Sequence, residues 1–207
     1  MLLYILRHGE TDYNRARIMQ GYQEIPLNDR GVAQATELAI RLRDLGIDRV
    51  VCSDLRRAVM TGCIIASHAQ VPLEYEPGLR ERNPGALTEQ PYDGEPRFFT
   101  DKIYVPHGGE SIAAFFDRVR QAFEALVAPP ERAGERIAVV THGLVCHAFV
   151  TQFIGEQAGS GVGARNGSMT VVRYEGGVWT LEDLDTTAHL SAENAPVESG
   201  REAPQGT

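Results

Sequence analysis

The chain has 207 residues with 43% hydrophobic content, which is enough to bury one sizeable core, so one domain is expected. Its formal net charge of −8 argues against nucleic acid or an anionic membrane as a partner, so an anionic substrate must meet a local positive pocket. The three cysteines follow no zinc pattern, and neither a signal peptide nor a bilayer-spanning run is recognisable, which predicts a cytoplasmic protein with buried free thiols.

Strand and helix patterns alternate along the first part of the chain. Residues 2–6 (LLYIL) form a short apolar run that is typical of a buried strand. Apolar residues at helical spacing predict a helix over residues 31–45, with Asn28 as the N-cap and Gly46 as the stop signal. A second strand over residues 49–52 and a second helix over residues 54–69 are predicted next.

The second part of the chain continues the alternation and ends in a hairpin. A helix over residues 111–127 is predicted to end at a Pro-Pro pair. A buried strand over residues 136–141 precedes a helix over residues 144–154. Two strands over residues 169–174 and 178–181 flank a Glu-Gly-Gly turn. This order predicts an α/β fold, a three-layer α/β/α sandwich whose mostly parallel sheet has an antiparallel edge.

The domain boundaries follow from where these patterns stop. Residues 1–186 are predicted to form a single domain. Residues 78–110 lack regular periodicity and are expected to form a lid insertion over the site. Residues 187–207 are polar and show no further core pattern, so they are expected to form a flexible tail.

The most informative segment is RHGE at residues 7–10, directly after the first predicted strand. Open α/β sheets bind ligands at the carboxyl ends of their strands. The His8 imidazole is a nucleophile, and the neighbouring Arg7 guanidinium is a permanently charged anion clamp. This pairing predicts chemistry on phosphate. Further charged segments follow at predicted strand ends or helix starts, at residues 53–58 (SDLRRA), 79–81 (LRE) and 141–143 (THG).

In this order and context, the four segments resemble those of the histidine phosphatase superfamily, which includes the phosphoglycerate mutases. The resemblance covers roughly residues 1–174. It implies that His8 attacks phosphorus and carries it as a phosphohistidine. It also implies that Glu81 protonates the leaving alkoxide and then serves as the base that activates water. No metal and no other cofactor is implied, because arginine and histidine supply the charge stabilisation.

The resemblance also implies how the phosphate is held. Two guanidinium groups would clamp the phosphoryl oxygens, while a second histidine and a glycine amide donate hydrogen bonds to them. The family pattern Ser-x-Leu-x-Arg-Ala places the pocket arginine directly before alanine, which selects Arg57 over Arg56. The complete set of implied phosphate or substrate contacts is Arg7, Arg57, His142, Asn14, Gln20, Gly21 and Gly143.

Some neighbouring residues are expected to lie outside this set. The family commonly has Gly-x-Trp-Glu-Gly after its glutamate, whereas residues 85–89 read GALTE, so the lid is expected to differ in shape. Arg80 and Arg82 flank the glutamate and are expected at the surface or rim. His147 follows His142 by five residues, about 140° around a helix, and is expected to be a core or surface histidine.

Phosphatases and phosphomutases of the family share the phosphohistidine step and differ in whether water or a second substrate hydroxyl takes the phosphoryl group. The segment between Glu81 and residue 111 is short and lacks an obvious basic cluster for a bisphosphate. The sequence therefore favours a phosphatase acting on a small phosphomonoester. A phosphoglycerate-type phosphomutase is the alternative, and a non-catalytic phosphate-binding regulatory module is an alternative of another class.

The lid is expected to select the alcohol, because its mixture of aromatic and basic groups suits a small polar or cyclic phosphomonoester. These residues are Tyr92, Arg97, Phe98, Phe99, Lys102 and Tyr104. An alternative interpretation is that the phenylalanines only anchor the loop on the core. The sequence does not choose among phosphosugars, phosphoserine, ribazole phosphate and phosphohistidine proteins, and it gives no oligomeric state.

Two other patterns compete with this interpretation. Residues 183–187 (DLDTT) fit the Asp-x-Asp-x-Thr pattern of haloacid-dehalogenase-type phosphatases, but in that fold the motif follows the first strand. Residues 159–163 (GSGVG) resemble a phosphate cradle but lack the Gly-Lys-Ser/Thr ending of a P-loop. We therefore treat the first match as accidental and the second as a connection to the next strand.

Overall fold

A six-stranded mixed sheet runs through the centre of the protein. The computed structural model describes residues 1–155 and 164–196. Within them the strand order is β3-β2-β4-β1-β5-β6; the first four strands are parallel, and β5 pairs antiparallel with both of its neighbours. The strands are β1 (Leu2–Arg7), β2 (Arg49–Cys52), β3 (Leu73–Tyr75), β4 (Arg136–Thr141), β5 (Met169–Glu175) and β6 (Val178–Thr186). The predicted α/β fold is confirmed.

Helices cover both faces of this sheet. The α-helices are α1 (Asp12–Arg15), α2 (Asp29–Leu45), α3 (Arg56–Ala69), α4 (Arg97–Thr100), α5 (Ile112–Val127) and α6 (Gly143–Phe149). A π-helical turn over Val150–Ile154 continues α6, and single 3-10 turns cover Pro77–Leu79, Gly85–Leu87 and Pro130–Arg132. Because side chains alternate along a strand, Tyr4 and Leu6 of β1 pack with α2 and α3. Leu3 and Ile5 pack with α5 and α6 on the other face.

The ends of α2 are where the sequence signals predict them. The Asn28 side chain accepts a hydrogen bond from the Gly31 amide at 2.9 Å, which satisfies one of the free donors of the first turn. Gly46 ends the helix with φ of 68°, a left-handed conformation that favours glycine. The start of α2 is thereby fixed beside the loop that follows β1.

The lid over residues 78–110 is irregular, and backbone hydrogen bonds tie it to the loop after α1. The Met19 amide donates to the Gln90 carbonyl, and the Glu89 amide donates back to the Met19 carbonyl, both at 2.9 Å. The Tyr92 amide donates to the Arg17 carbonyl at 2.9 Å. The lid and the loop that leads to Gln20 are therefore joined by backbone pairing.

Residues 187–196, predicted as the start of a flexible tail, pack against α2 instead. The Gln34 side chain donates to the Asn194 carbonyl at 2.9 Å, and the Ser191 amide donates to the Glu37 carboxylate at 2.9 Å. Leu190 is buried. The sequence did not predict this contact because it is mostly polar and has one apolar anchor rather than a periodic pattern. Residues 197–207 and the glycine-rich residues 159–163 lie outside the described residues.

Other sequence expectations can be compared with the described residues. Cys52 and Cys146 are buried as expected, whereas Cys63 is exposed on α3. The competing phosphatase pattern at residues 183–187 lies on and just after the last strand, at the sheet edge, rather than after a first strand. In the described part of the chain, no helix combines the length and apolar character needed to cross a bilayer.

Candidate active site

The loops at the carboxyl ends of three parallel strands meet at one cavity. His8 follows β1, Ser53 follows β2, and His142 follows β4. The cavity has a volume of about 490 Å³ and is lined by every sequence-predicted site residue except His142. The His142 ring is fully buried and contacts the His8 ring edge-on, with 5.1 Å between the ring centroids. The structure therefore brings the whole predicted set together.

The loop that carries His8 is held by close backbone packing on α2. A Cβ atom at Gly9 would lie 2.3 Å from the Gly31 carbonyl oxygen, and one at Gly31 would lie 2.0 Å from the Glu10 carbonyl oxygen. Both contacts are too short for any side chain. The two glycines therefore let the first turn of α2 press against the loop and fix its position.

The contacts of His8 define which ring nitrogen is free to react. Its Nδ1 lies 2.7 Å from the Gly9 carbonyl oxygen, which can only accept, so Nδ1 carries the proton. Nε2 then holds the lone pair, and the Arg57 Nε–H donates to it at 3.2 Å. Burial, reinforced by the charges of Arg57 and Arg7, holds the pKa of His8 well below its ordinary value. The imidazole is therefore neutral near pH 7, as a nucleophile must be.

Two arginines place positive charge beside His8. Arg57, on the first turn of α3, is almost fully buried, and its Nη atoms donate to the carbonyls of Gly21 at 2.9 Å and Gln23 at 3.1 Å. Burial lowers the pKa of Arg57 to about 10, so it still carries its charge at neutral pH. Arg7 donates from Nη1 to the Ala164 carbonyl, while its buried Nε has no hydrogen-bond partner among the described residues. Arg56 is exposed, so Arg57 is the arginine of the cluster.

His142 presents a second buried donor without a partner. Its Nε2 lies 2.8 Å from the Ser53 hydroxyl, whose oxygen also accepts from the Leu55 amide at 3.3 Å. The hydroxyl proton has no other acceptor among the described contacts, so it is donated to Nε2, and Nδ1 carries the His142 proton. Nδ1 is buried and unpaired within the described residues. Burial, followed by the charges of Arg57 and His8, holds the pKa of His142 well below its ordinary value.

Glu81 is a carboxylate that lines the cavity and lies close enough to Arg57 and Arg7 for their charges to act on it. Its two oxygens accept hydrogen bonds from the amides of Arg82 at 2.9 Å and Leu144 at 3.3 Å. Burial raises the pKa of Glu81 above its ordinary value, against the lowering effect of the Arg82 amide and the Arg57 charge. A carboxyl group with a raised pKa retains its proton closer to neutral pH, as a general acid requires.

The remaining predicted contacts surround the same cavity. Asn14, on α1, accepts at Oδ1 from Thr11 and from the Asn166 side chain, so its amide group retains donors for other partners. Gln20 is buried and accepts from the Thr11 hydroxyl at 3.0 Å. Gly21 has φ of 49°, and a Cβ atom there would lie 2.2 Å from the Pro84 ring. Only glycine fits this position. Gly143 opens α6, and a Cβ there would lie 3.5 Å from the Arg7 guanidinium.

Sequence reasoning placed Arg82 wrongly. Arg82 is buried rather than at the rim, and its guanidinium donates to the backbone carbonyls of Glu110, Phe98 and Tyr104, so it holds the lid together. His147 is exposed, as expected of a surface histidine, and it also lines the cavity.

Several cavity-lining residues carried no sequence signal. They contribute apolar contacts or charged groups from the loop after α1, the lid, α6 and the segment before β5. Their common feature is proximity to a motif rather than membership of one. They are Arg17, Met19, Pro84, Asp93, Leu144 and Ala164. For Arg17 and Met19 alone, the sequence offered a signal, because both lie within three residues of Gln20.

The family model of the histidine phosphatase superfamily (branch 1) matches residues 3–187. The chain belongs to the histidine phosphatase superfamily. This confirms the resemblance inferred from the four charged segments. The superfamily consists of phosphatases and mutases, so it is catalytic. The match covers the cluster of arginines, histidines and glutamate around the cavity in full.

Relatives within the superfamily include both classes by name. A protein of Erwinia tasmaniensis named "Probable phosphoglycerate mutase GpmB" is 33% identical over 205 residues, covering 91% of this chain and 94% of its own. The structure of the alpha-ribazole phosphatase from Shigella flexneri superposes with a TM-score of 0.79 at 27% identity, covering 90% of this chain and 96% of that one. A mycobacterial glucosyl-3-phosphoglycerate phosphatase gives a TM-score of 0.78 at 26% identity, covering 90% and 99% of the two chains.

Proposed function

We propose that the protein is a metal-independent phosphomonoester hydrolase that acts through a phosphohistidine on His8. One observation carries the proposal: a neutral imidazole with its lone pair on Nε2 lines the cavity beside two buried N–H donors that have no partner among the described residues. Buried donors without partners are costly, and a phosphoryl oxygen would satisfy them. These donors are Arg7 Nε and His142 Nδ1.

The reaction has two balanced steps. In the first, the Nε2 lone pair of His8 forms a bond to phosphorus, the bond to the ester oxygen breaks, and Glu81 gives its proton to the leaving alkoxide. In the second, water attacks the phosphohistidine and gives a proton to the Glu81 carboxylate. The bond between nitrogen and phosphorus breaks, and its electron pair returns to Nε2. Inorganic phosphate and the neutral imidazole remain.

Charge stabilisation in this scheme comes from the chain itself. Arg57 Nε lies 3.2 Å from the attacking nitrogen, so a phosphoryl group bonded to that nitrogen is within reach of its guanidinium. Arg7 and His142 donate from other directions. Donors that are already oriented stabilise developing charge without reorganisation during the step. These groups take the part that a divalent cation takes in many other phosphoryl transfers.

A phosphomutase is the second candidate, because the relative with 33% identity carries a mutase name. Both classes would use His8 in the same first step, and only the acceptor in the second step differs. The phosphatase names of two solved structures, which the chain matches over 90% of its length, favour water as the acceptor.

An assay in EDTA tests the proposed function directly. Release of inorganic phosphate from a panel of phosphomonoesters, including p-nitrophenyl phosphate and 3-phosphoglycerate, is expected to be unchanged by the chelator. The product of 3-phosphoglycerate is followed in parallel for its 2-isomer. Loss of turnover in EDTA would contradict the metal-independent scheme, and isomer formation faster than phosphate release would make the protein a mutase.

Replacement of Arg57 tests the phosphate clamp. The Arg57→Ala variant is expected to lose about 100-fold in kcat, because it lacks the planar donor beside His8 Nε2. Arg56→Ala is the matched control on the same helix turn and should stay within about threefold of wild type, because exposed side chains away from the site contribute little. Thermal melting of both variants separates catalysis from folding. Equal kcat values for the two variants would show that the wrong arginine was assigned.

A further inference from the structure

One wall of the cavity is a cluster of aromatic rings from the lid. Tyr92 and Phe99 meet edge-on with 6.1 Å between ring centroids, and Phe98 and Phe99 do so at 5.0 Å. All three rings line the cavity. Phe98 is buried, whereas Phe99 is 43% exposed, so part of its ring remains available for contact. Exposed aromatic surface inside a cavity binds apolar groups well.

Apolar side chains from other segments extend this wall. Met19 comes from the loop after α1, Pro84 from the start of the lid, and Leu144 from the first turn of α6. Met19 adapts readily to the shape of a neighbouring group because its side chain is unbranched. Outside the arginine and histidine cluster, much of the cavity is therefore apolar.

The guanidinium groups inside the cavity already have backbone partners or a role in the proposed scheme, in which Arg7 and Arg57 hold the phosphoryl group. Arg82 uses its three nitrogens on backbone carbonyls of the lid and of the segment before α5. Arg57 uses its nitrogens on His8 and on two carbonyls of the loop around Gly21. The segment at residues 156–163 contains no Lys, Arg or His. Beyond Arg7 and Arg57, which hold the phosphoryl group in the proposed scheme, a second anionic group on a substrate would find no uncommitted buried cation among the described residues.

The charged groups at the cavity mouth are exposed and of mixed sign. Arg17 and His147 lie there, and Asp93 adds a carboxylate to the same lining. Ion pairs with exposed groups are weak, since water screens them. Of the other basic residues of the lid, Arg80 pairs with Asp54 and Arg97 pairs with Glu95 at 2.6 Å, and neither of them nor Lys102 lines the cavity.

We propose that this enzyme selects phosphomonoesters of uncharged alcohols that carry an aromatic or similarly apolar group, and that it discriminates against esters with a second anionic group such as a carboxylate. Phe99 is the specificity-determining residue of this apolar wall. The inference rests on the proposed phosphatase function and adds the class of alcohol to it.

Three esters with similarly poor leaving groups test the proposal: benzyl phosphate, glycerol 3-phosphate and 3-phosphoglycerate. The second and third differ in whether the far carbon is a neutral alcohol or a carboxylate, and the first supplies an aromatic ring. We expect kcat/KM for benzyl phosphate to exceed that for glycerol 3-phosphate by at least about tenfold. The value for 3-phosphoglycerate is expected to be the lowest of the three.

The Phe99→Ala variant makes the test specific to the wall. It should lower kcat/KM for benzyl phosphate by about tenfold. The value of kcat/KM for glycerol 3-phosphate should stay within about twofold of wild type. Ile103→Ala is the matched control, because Ile103 is 88% exposed on the same lid and does not line the cavity. The Ile103→Ala variant should leave kcat/KM for both substrates unchanged. An unchanged benzyl preference in Phe99→Ala, or a preference for 3-phosphoglycerate, would overturn the inference while leaving the phosphatase function in place. Absence of His8-dependent turnover of all three esters would instead overturn the proposed function.

Discussion

The His8→Ala variant is expected to lose at least about 10⁴-fold in kcat on every phosphomonoester, because it removes the one protein atom that forms a bond to phosphorus in the scheme. The structure supports a large effect, since the Nδ1 contact with Gly9 and the lowered pKa both prepare Nε2 for attack. Neither neighbouring group replaces it in the scheme: the lone pair of His142 accepts the Ser53 hydroxyl proton, and Glu81 carries the proton for the leaving group. A continuous assay of phosphate release measures the loss in kcat.

His68→Ala is the matched control for that variant. His68 is exposed on α3, and its ring contacts only the Ile64 carbonyl of its own helix among the described hydrogen bonds. Its replacement should leave kcat within about twofold, as is usual for surface sites. Because His8 is buried, His8→Asn provides a second variant that keeps a polar group beside Arg57, and melting curves verify that both fold. Residual activity of His8→Ala above about one hundredth of wild type would contradict the nucleophile assignment.

Replacement of Glu81 by Gln is expected to separate the two chemical steps. With benzyl phosphate, kcat should fall by about 10²- to 10⁴-fold, because glutamine cannot protonate the leaving alkoxide. With p-nitrophenyl phosphate the leaving group needs no proton, so the first step should proceed and the second should stall. A burst of about one nitrophenolate per active site followed by slow turnover is the expected result in rapid-mixing measurements.

The pH dependence of the wild-type enzyme follows from the raised pKa of Glu81. The first step needs the protonated acid, so its rate with benzyl phosphate should fall as pH rises through that pKa, which lies above the ordinary carboxyl value. The pH–rate profile of the Glu81→Gln variant should lack this falling limb at higher pH, because glutamine does not titrate. A limb that persists unchanged in the variant would assign it to the substrate or to another group and would remove Glu81 from the proton transfer.

The sequence predicted the site better than it predicted the lid. His8, Ser53 and His142 each follow a buried apolar strand, and parallel strands bring their carboxyl ends to one edge. The position of Arg57 followed from the alanine that comes after it in the family pattern. These features are local in sequence, and the sheet topology then brings them together.

The features that the sequence did not predict depend on contacts between distant segments. Arg82 is buried because its donors meet backbone carbonyls at positions 98, 104 and 110, and carbonyl positions in an irregular loop have no sequence signature. The strand β3 has only three residues and is at most half-buried, so no periodic pattern marks it. Residues 187–196 contact α2 through polar groups that resemble those of a flexible tail.

The central claim is that phosphorus becomes bonded to His8, and a trapping experiment measures this most directly. Wild type and Glu81→Gln are mixed with ³²P-labelled p-nitrophenyl phosphate in EDTA, quenched within milliseconds in base, and digested for mass spectrometry. We expect an acid-labile, base-stable label on the peptide that contains His8, at higher occupancy in Glu81→Gln, and none in His8→Ala. A label on another residue, or full turnover with no trapped phosphoenzyme in either protein, would contradict the account.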